Sequence, residues 1–356
     1  MKTTVSNRTS TGTSRRAMIA GGTALAATLT MPSIVRAQSK MIVLTSPGGI
    51  YEKNFRKNVL DPFEKQSGAK FQLKYGSPAE WLTNAIVNRN EPEIDLLFLV
   101  VPIATKASKT SGVFLELTPQ MIPNVRDVDG IFYDTYGRKA VGFNYVDAGL
   151  AYRTDMVSQP PAAWADLWDP RFKGQLMLSD VAGPWPYELV IIAAMLNGGS
   201  IDNLEPGFEA MKRLKPNVAR WFKSSNEVIA NLERKEVAIA LSNSFRTYAM
   251  KDAGVPVEYV IPKEGAFCGV LSFHVPAKAR NRDLILEFVN FATGVEAQTG
   301  FGNDMQSGMT NRKVVLKPEV AARTVPVDKL LRLDWQAIEP HMTQIVERMQ
   351  RDVITR

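Results

Sequence analysis

The chain has 356 residues, of which 45% are hydrophobic and 22% are charged. That length favours two domains with separate buried cores over a single domain. The formal net charge is +7, but residues 1–37 hold five of the 43 basic residues and none of the 36 acidic ones. The rest of the chain is therefore nearly neutral, and no nucleic-acid partner is expected. A single cysteine, Cys268, excludes an internal disulfide and any metal site built from several cysteines.

Residues 1–37 have the composition of an export signal. Arg15-Arg16 precede an apolar stretch from Met18 to Val35, and Val35-Arg36-Ala37 places small residues where a signal peptidase cleaves. The paired arginines are typical of a twin-arginine signal. A retained membrane anchor is the alternative, but several glycines and threonines leave this stretch too weakly apolar for a good span. We therefore expect an exported protein that loses its signal peptide and works in the periplasm.

Strands and helices alternate in the first part of the remaining chain. Residues 41–44 form an apolar run typical of a strand buried on both faces. A helix follows and ends near Gly68, residues 71–75 alternate as in a half-buried strand, and a second helix surrounds Trp81. Residues 94–101 predict another central strand. This order is typical of a parallel, doubly wound α/β sheet.

Three further strands are predicted in the second half of the chain, at residues 237–241, 257–261 and 267–275. The tail from 328 to 356 is predicted to be largely helical. Neither an internal repeat nor a long low-complexity linker separates these elements. The pattern favours two lobes joined by strands that cross between them.

Signatures of catalysis are poor in this sequence. The two histidines, His274 and His341, do not have a metal-binding spacing, and no nucleophile elbow, Walker loop or dinucleotide glycine pattern occurs. Cys268 lies in an apolar stretch, where a buried and inert thiol is typical. We therefore expect a binding protein and not an enzyme, with no cofactor and no metal.

Binding residues are predicted from the places where strands end. In open α/β sheets, ligands bind beyond the carboxyl ends of strands. The candidates on this argument lie in or just after the predicted strand-to-helix turns and are Ser46, Gly48, Gly49, Ser77, Trp81, Asp180, Trp185, Tyr187 and Asn243. Tyr51 and Arg246, in the helices that follow two of these turns, complete the list of candidate ligand-binding residues. Gly48-Gly49 either brings backbone N–H groups to a ligand or forms a tight turn. Trp185 and Tyr187 either stack on a ligand or cover the core of their own lobe.

Residues 160–174, PPAAWADLWDPRFKG, resemble a segment of the periplasmic solute-binding proteins of ABC importers. The similarity is strongest to their spermidine/putrescine-binding branch, which Pro262-Lys263-Glu264-Gly265 also resembles. The resemblance implies a type II periplasmic-binding-protein fold, in which two doubly wound lobes are joined by crossing strands with a ligand cleft between them. It implies a monomer that closes on one small molecule and delivers it to the membrane subunits of an ABC permease. The implied lobes are residues 40–147 with 264–305 and residues 148–263 with 306–356.

The ligand implied by the resemblance is a polyamine-like amine, whose ammonium groups need carboxylates and whose methylenes need aromatic walls. Polyamine-binding relatives carry Trp-x-Asp in the strand after the Lys-Glu-Gly motif, where this chain has Gly269 and Leu271. Asp180 and Glu188 are the candidate partners for a cation. One alternative is an organic anion or phosphonate, held by the serines and glycines of the same turns together with Arg246. Ferric iron, and a binding protein coupled to a sensor, are the others.

Overall fold

The computed structural model describes residues 40–355, and the predicted export signal at residues 1–37 lies outside them. The strands are β1 (Met41–Thr45), β2 (Lys70–Lys74), β3 (Leu97–Val100), β4 (Val141–Arg153), β5 (Leu176–Ser179), β6 (Val218–Phe222), β7 (Ile239–Ser242), β8 (Val257–Val260), β9 (Phe267–His274) and β10 (Gly308–Met309). The α-helices are α1 (Gly49–Phe55), α2 (Asp61–Ser67), α3 (Pro78–Val87), α4 (Ile103–Lys109), α5 (Glu188–Leu196), α6 (Glu205–Leu214), α7 (Ser225–Glu233), α8 (Ser244–Asp252), α9 (Arg282–Ala292), α10 (Val295–Met305), α11 (Pro318–Ala321), α12 (Trp335–Ile338) and α13 (Met342–Arg348). In this part of the chain, none of the helices has the length and hydropathy needed to cross a membrane.

The helix that the sequence predicts after β1 is built from three pieces. α1 continues through a π-helical turn at Arg56–Leu60 into α2. Pro62, which has no N–H group to donate, lies in the first turn of α2, directly after the π-helical turn. Gly68 ends α2 with a φ of 72°, a left-handed conformation that glycine adopts without steric cost.

The main sheet has the strand order β3-β9-β4-β7-β5-β6, and β8 and β10 also pair with β4. Parallel pairing, which the sequence pattern predicts, joins β1 to β2 and joins β5 to β6 and β7. The crossing strands β4 and β9 pair antiparallel with each other. The 13 residues of β4 pair first with β9 and β10 and then with β7 and β8. One strand therefore belongs to both lobes of this α/β fold.

Hydrophobic side chains form a main core in each lobe and a smaller third core. Phe63, Phe273 and Phe288 belong to the core of the first lobe. Leu178 and Phe208 belong to the core of the second lobe. The third core, which contains Trp81, lies beside β3 in the first lobe. Two separate cores agree with the two domains expected from the chain length.

The C-terminal part of the chain passes from one core to the other. Met309, Val325 and Leu330 lie in the core of the first lobe. Trp335 and Ile338 lie in the core of the second lobe. From core membership we infer that the second lobe resumes near residue 331 and not at residue 306.

The 160–174 segment is fixed against the start of β9. Trp164 stacks on Phe267 with ring centroids 4.2 Å apart, and its indole N–H donates to the Gly265 carbonyl at 2.8 Å. The Glu264 carboxylate accepts a hydrogen bond from the Trp164 backbone N–H at 3.0 Å. The two motifs that resemble the solute-binding proteins therefore contact each other where the chain crosses between lobes.

Candidate functional site

A cavity of about 440 Å³ lies between the two lobes, beside the crossing strands. The first lobe contributes Phe132 and Tyr136 to its wall, β9 contributes Cys268 and Val270, and the second lobe contributes Trp335. This volume is within the range of small-molecule sites, and contact with both lobes is what a closing clamp requires.

The aromatic walls of the cavity are supported by rings behind them. Phe132 stacks on Tyr145 with centroids 5.2 Å apart and an interplanar angle of 11°. Trp335 meets Tyr187 edge-on with centroids 6.2 Å apart. Phe132 is fully buried and Trp335 is 6% exposed, so these rings are largely covered by the protein itself.

Two polar side chains at the cavity, those of Asp334 and Gln336, have partners in the protein, whereas no hydrogen bond or ion pair among residues 40–355 includes the side chain of Arg332. Asp334 accepts hydrogen bonds from the Gln336 and Ala337 backbone N–H groups at 2.9 and 3.1 Å, and so caps α12. The Gln336 side chain donates to the Thr135 carbonyl at 2.9 Å. This last contact joins the two lobes at the cavity.

Glu188 is a buried carboxyl group behind the cavity wall. Its side chain is 3% exposed, and among residues 40–355 no ion pair includes it. One oxygen accepts a hydrogen bond from the Tyr187 backbone N–H at 3.2 Å. Burial raises the pKa of Glu188 to about 7, because an ionised carboxylate loses its hydration there. Burial also raises the pKa of Cys268, and the charges of Asp147 and Glu188 raise it further.

Asp147, on the crossing strand β4, is the second buried carboxyl group. It accepts hydrogen bonds from the Ser244 backbone N–H at 3.0 Å, the Ser244 hydroxyl at 2.6 Å and the Tyr259 hydroxyl at 2.5 Å. Burial raises its pKa, against the effect of these donors. In the described part of the chain Asp147 has no cationic partner either. Its three donors show that it fastens β4 to the start of α8.

The predicted ligand-binding residues of the first lobe lie in turns and first helical turns, as expected, but outside the cavity wall. Ser46 donates to Glu52 at 2.9 Å and accepts from the Gly48 N–H at 3.1 Å. Tyr51 donates to the Asn144 side chain at 2.9 Å. Gly48 and Gly49 both have positive φ, at 72° and 61°, as a tight turn requires.

Two further residues predicted in the first lobe cap α3 and pack it against the third core. Ser77 caps α3, where its hydroxyl accepts from the Glu80 N–H at 3.3 Å and its own N–H donates to Glu80 at 2.8 Å. Trp81 is 5% exposed and belongs to the third core. The structure thus separates these residues from the cavity.

The predicted residues of the second lobe also lie outside the cavity wall, although two of them pack beside it. Trp185 is 5% exposed and fills the space beside Gly269, where an added Cβ would lie 3.2 Å from its ring. Tyr187 supports Trp335 as described above. Asp180 accepts from the Ala182 N–H at 2.9 Å inside its own turn.

The last two predicted residues lie at the start of α8. Asn243 donates to the Asp147 carbonyl at 2.6 Å. Arg246 is half-buried and donates to the Asn226 side chain at 3.2 Å. Burial lowers the pKa of Arg246, and no carboxylate among residues 40–355 pairs with it.

Sequence reasoning missed the residues that form the cavity wall. Tyr136, Cys268 and Trp335 are far apart in the chain, and none of them follows a central parallel strand. Trp335 lies in the tail that the sequence predicts only as helical. Outside the cavity wall, the sequence pointed to Glu188, which follows an aromatic turn, as a candidate partner for a cationic ligand.

No group of histidine, cysteine, aspartate or glutamate side chains that could hold a metal ion occurs among residues 40–355. A cavity of this size between two lobes is suited to reversible binding of a small molecule and is the candidate binding site.

Comparison with known proteins agrees with this geometry. Residues 58–325 match the family of bacterial extracellular solute-binding proteins. The chain is 29% identical over 289 residues to a spermidine/putrescine-binding periplasmic protein of Salmonella typhimurium, covering 79% of this chain and 80% of the relative.

Solved structures share the fold over nearly their whole length. An ABC transporter from Clostridium perfringens has a TM-score of 0.79 and 25% identity, covering 88% of this chain and 99% of that one. An ABC transporter substrate-binding protein from Bradyrhizobium japonicum has a TM-score of 0.73 and 21% identity, covering 87% and 99%. These neighbours are two-lobed periplasmic binding proteins, the fold expected from the sequence. This chain belongs to the family of bacterial extracellular solute-binding proteins.

Proposed function

We propose that this protein is the substrate-binding component of an ABC importer, and that it captures a small organic amine between its lobes. It works in the periplasm as a monomer and delivers the amine to the membrane subunits. Membership of the solute-binding family supports the binding role, and the names of its relatives support transport and an amine ligand. The basic and apolar residues 1–37 support export.

The observation that carries the amine ligand is the similarity to a spermidine/putrescine-binding protein, and the buried carboxyl group of Glu188, which has no cationic partner among the described residues, is a candidate counter-charge. A buried carboxylate is strongly disfavoured unless a cation pairs with it, and the described residues supply none. An ammonium group in the cavity would supply that charge. The half-buried side chains of Ile131, Leu331 and Leu333 in the cavity wall would contact the attached methylene groups.

Delivery to a permease follows from binding between two lobes. A ligand that contacts both lobes stabilises the closed form over the open form, because only the closed form makes both sets of contacts. The Gln336–Thr135 hydrogen bond is one contact that joins the two lobes at the cavity. The permease would then distinguish loaded from empty protein by shape.

Isothermal titration calorimetry tests the ligand class. The probes are 1,4-diaminobutane, spermidine and butanedioate, so that a diamine and a dicarboxylate of similar length are compared directly. We expect binding of at least one amine and none of butanedioate. Binding of butanedioate without either amine would overturn the proposal.

An organic anion is the second candidate ligand, because Arg246 is half-buried and has no carboxylate partner among the described residues. Replacement of Arg246 by glutamine separates the two candidates. Loss of butanedioate binding in this variant supports the anion. Unchanged amine binding in the same variant supports the cavity beside Glu188.

A further inference from the structure

We propose that the ligand of the interlobe cavity is an amino acid, with an ammonium group at one end of a short carbon chain and a carboxylate at the other, and that Arg332 binds the carboxylate. The inference rests on the proposed function and narrows its ligand from organic amines in general to amines that also carry an acidic group. It makes Arg332 the residue that selects an amino acid over a diamine.

Three charged side chains line the cavity, and they come from both lobes. The first lobe contributes Asp134, and the chain that returns to the second lobe contributes Arg332 and Asp334. The wall therefore presents both signs of charge to one ligand. A diamine would leave the guanidinium without a partner, and a dicarboxylate would meet carboxylates of its own sign. A molecule with one ammonium and one carboxylate group complements both signs.

Backbone contacts on either side hold Arg332 at the cavity. The Leu331 N–H donates to the Ala266 carbonyl at 2.7 Å, directly before β9. On the other side, Asp334 caps α12, and Trp335 belongs to the core of the second lobe. Arg332 is thus placed where the chain crosses from one lobe to the other, and its exposed side chain forms part of the cavity wall.

Of the three charged side chains, Arg332 alone has no hydrogen-bond or ion-pair partner within residues 40–355. Asp134 lies 3.5 Å from Arg138, and Oδ1 of Asp334 accepts from both N–H groups at the start of α12. A guanidinium matches a carboxylate through parallel N–H donors, which a lysine ammonium does not offer. The charge that the protein leaves available at this wall is therefore suited to a carboxylate of the ligand.

The ammonium end of the ligand has acceptors in the same wall. The side chains of Asp134 and Arg138 are 63% and 56% exposed, so water weakens their ion pair and Asp134 can accept from a second cation. Oδ2 of Asp334 accepts no hydrogen bond from the described residues. An ammonium group at Asp134 and a carboxylate at Arg332 would engage both lobes with one ligand, which favours closure.

Isothermal titration calorimetry with three probes of equal chain length tests the ligand class. They are 4-aminobutanoate, 1,4-diaminobutane and butanedioate, which differ only in the charged groups at their two ends. We expect 4-aminobutanoate to bind about tenfold or more tightly than either of the others, because it alone pairs with both signs of charge.

Replacement of Arg332 tests its role in this preference. Arg332→Gln should weaken 4-aminobutanoate about tenfold, because a charge-assisted hydrogen bond is lost. Binding of 1,4-diaminobutane should stay unchanged or become tighter, because a cation that repels it is removed. The matched control is Arg89→Gln, since Arg89 is also exposed, lies outside the cavity wall and has no hydrogen bond or ion pair among residues 40–355. Its affinities should equal those of the wild type.

The possible results are distinct. Tighter binding of 1,4-diaminobutane than of 4-aminobutanoate by the wild type would overturn the inference and leave the proposed function intact. Equal binding of 4-aminobutanoate by the wild type and Arg332→Gln would also overturn it. Binding of butanedioate without either amine would overturn the proposed amine ligand and the amino-acid class together. Because the wild type alone shows which probe is preferred, a variant that fails to fold does not prevent a decision.

Discussion

Each lobe contains a turn that leads from a parallel strand into a helix with a glutamate in its first turn, and the two glutamates differ in their partners. In the first lobe, Glu52 accepts a hydrogen bond from Ser46 at 2.9 Å and from Tyr75 at 3.1 Å. Arg56 lies 3.5 Å away on the same helix. In the second lobe, Glu188 has only backbone donors.

The two turns also differ in their exposure to solvent. The turn of the first lobe is open to solvent, and Ile50 beside it is 65% exposed. The turn of the second lobe is covered by Trp185, which is 5% exposed. A carboxylate that the protein has already neutralised offers little to a cationic ligand, whereas an unpaired buried one offers a full counter-charge. The comparison shows that two glutamates in first helical turns differ in burial and in their partners.

The largest change in stability is expected from replacing Trp185, which covers the turn of the second lobe. Trp185→Ala should lower the free energy of unfolding by about 3–5 kcal/mol, because it removes a buried aromatic side chain. Chemical denaturation measures this, and Ile50→Ala in the exposed turn is the control, expected within about 0.5 kcal/mol. Equal effects of the two variants would mean that the two turns do not differ in burial.

The next largest effect is the change in the free energy of unfolding with pH that the titration of Glu188 causes. Between about pH 4.5 and 7 the folded protein keeps the Glu188 proton and the unfolded chain does not, so this group makes stability fall as pH rises. The loss amounts to roughly 3 kcal/mol and is complete above pH 7. Denaturation of wild type and Glu188→Gln at pH 4.5 and 8 should show their stability difference changing by this amount, whereas a constant difference would contradict it.

A smaller effect is expected beneath the same turn. In Gly269→Ala the new methyl group would lie 3.2 Å from the Trp185 ring, which must shift by a few tenths of an ångström. Overpacking of this kind costs about 1–3 kcal/mol. A thermal melt of Gly269→Ala, alone and combined with Trp185→Phe, checks it, since the smaller ring should relieve the clash.

The smallest effect is expected in the first lobe. Glu52→Gln keeps a side chain that can accept from Ser46 and Tyr75 and loses only a charge near Arg56. The free energy of unfolding should change by about 1 kcal/mol or less. The affinity for the amine should not change. A large loss of affinity would mean that the ligand binds at the turn of the first lobe and not in the second lobe.

Much of the fold could be predicted because local patterns carry it. The predicted strands at 41–44, 237–241 and 267–275 correspond to β1, β7 and β9 within one or two residues. Each of these strands is buried on both faces and is therefore apolar along its length, a pattern that is visible within the sequence of the strand itself. The antiparallel pairing of β4 with β9 was not predicted, because pairing partners leave no mark in local periodicity.

The candidate site was harder to predict because its residues meet only after folding. The rule that ligands bind at strand ends identified the turn that contains Trp185, and the structure shows the ring of Trp185 packed beside Gly269. The cavity depends instead on a short helix near residue 136 and on the return of the chain at residue 331. No sequence window contains both segments.

The course of β4 has a consequence for any attempt to divide this protein. The strand supplies hydrogen-bonded partners to both lobes, and each lobe is assembled from pieces that are separated in the chain. Cleavage of one peptide bond cannot therefore yield two fragments that each contain a whole core. Expression of either half alone should give an unfolded product, and native unfolding should follow a single transition shared by both lobes.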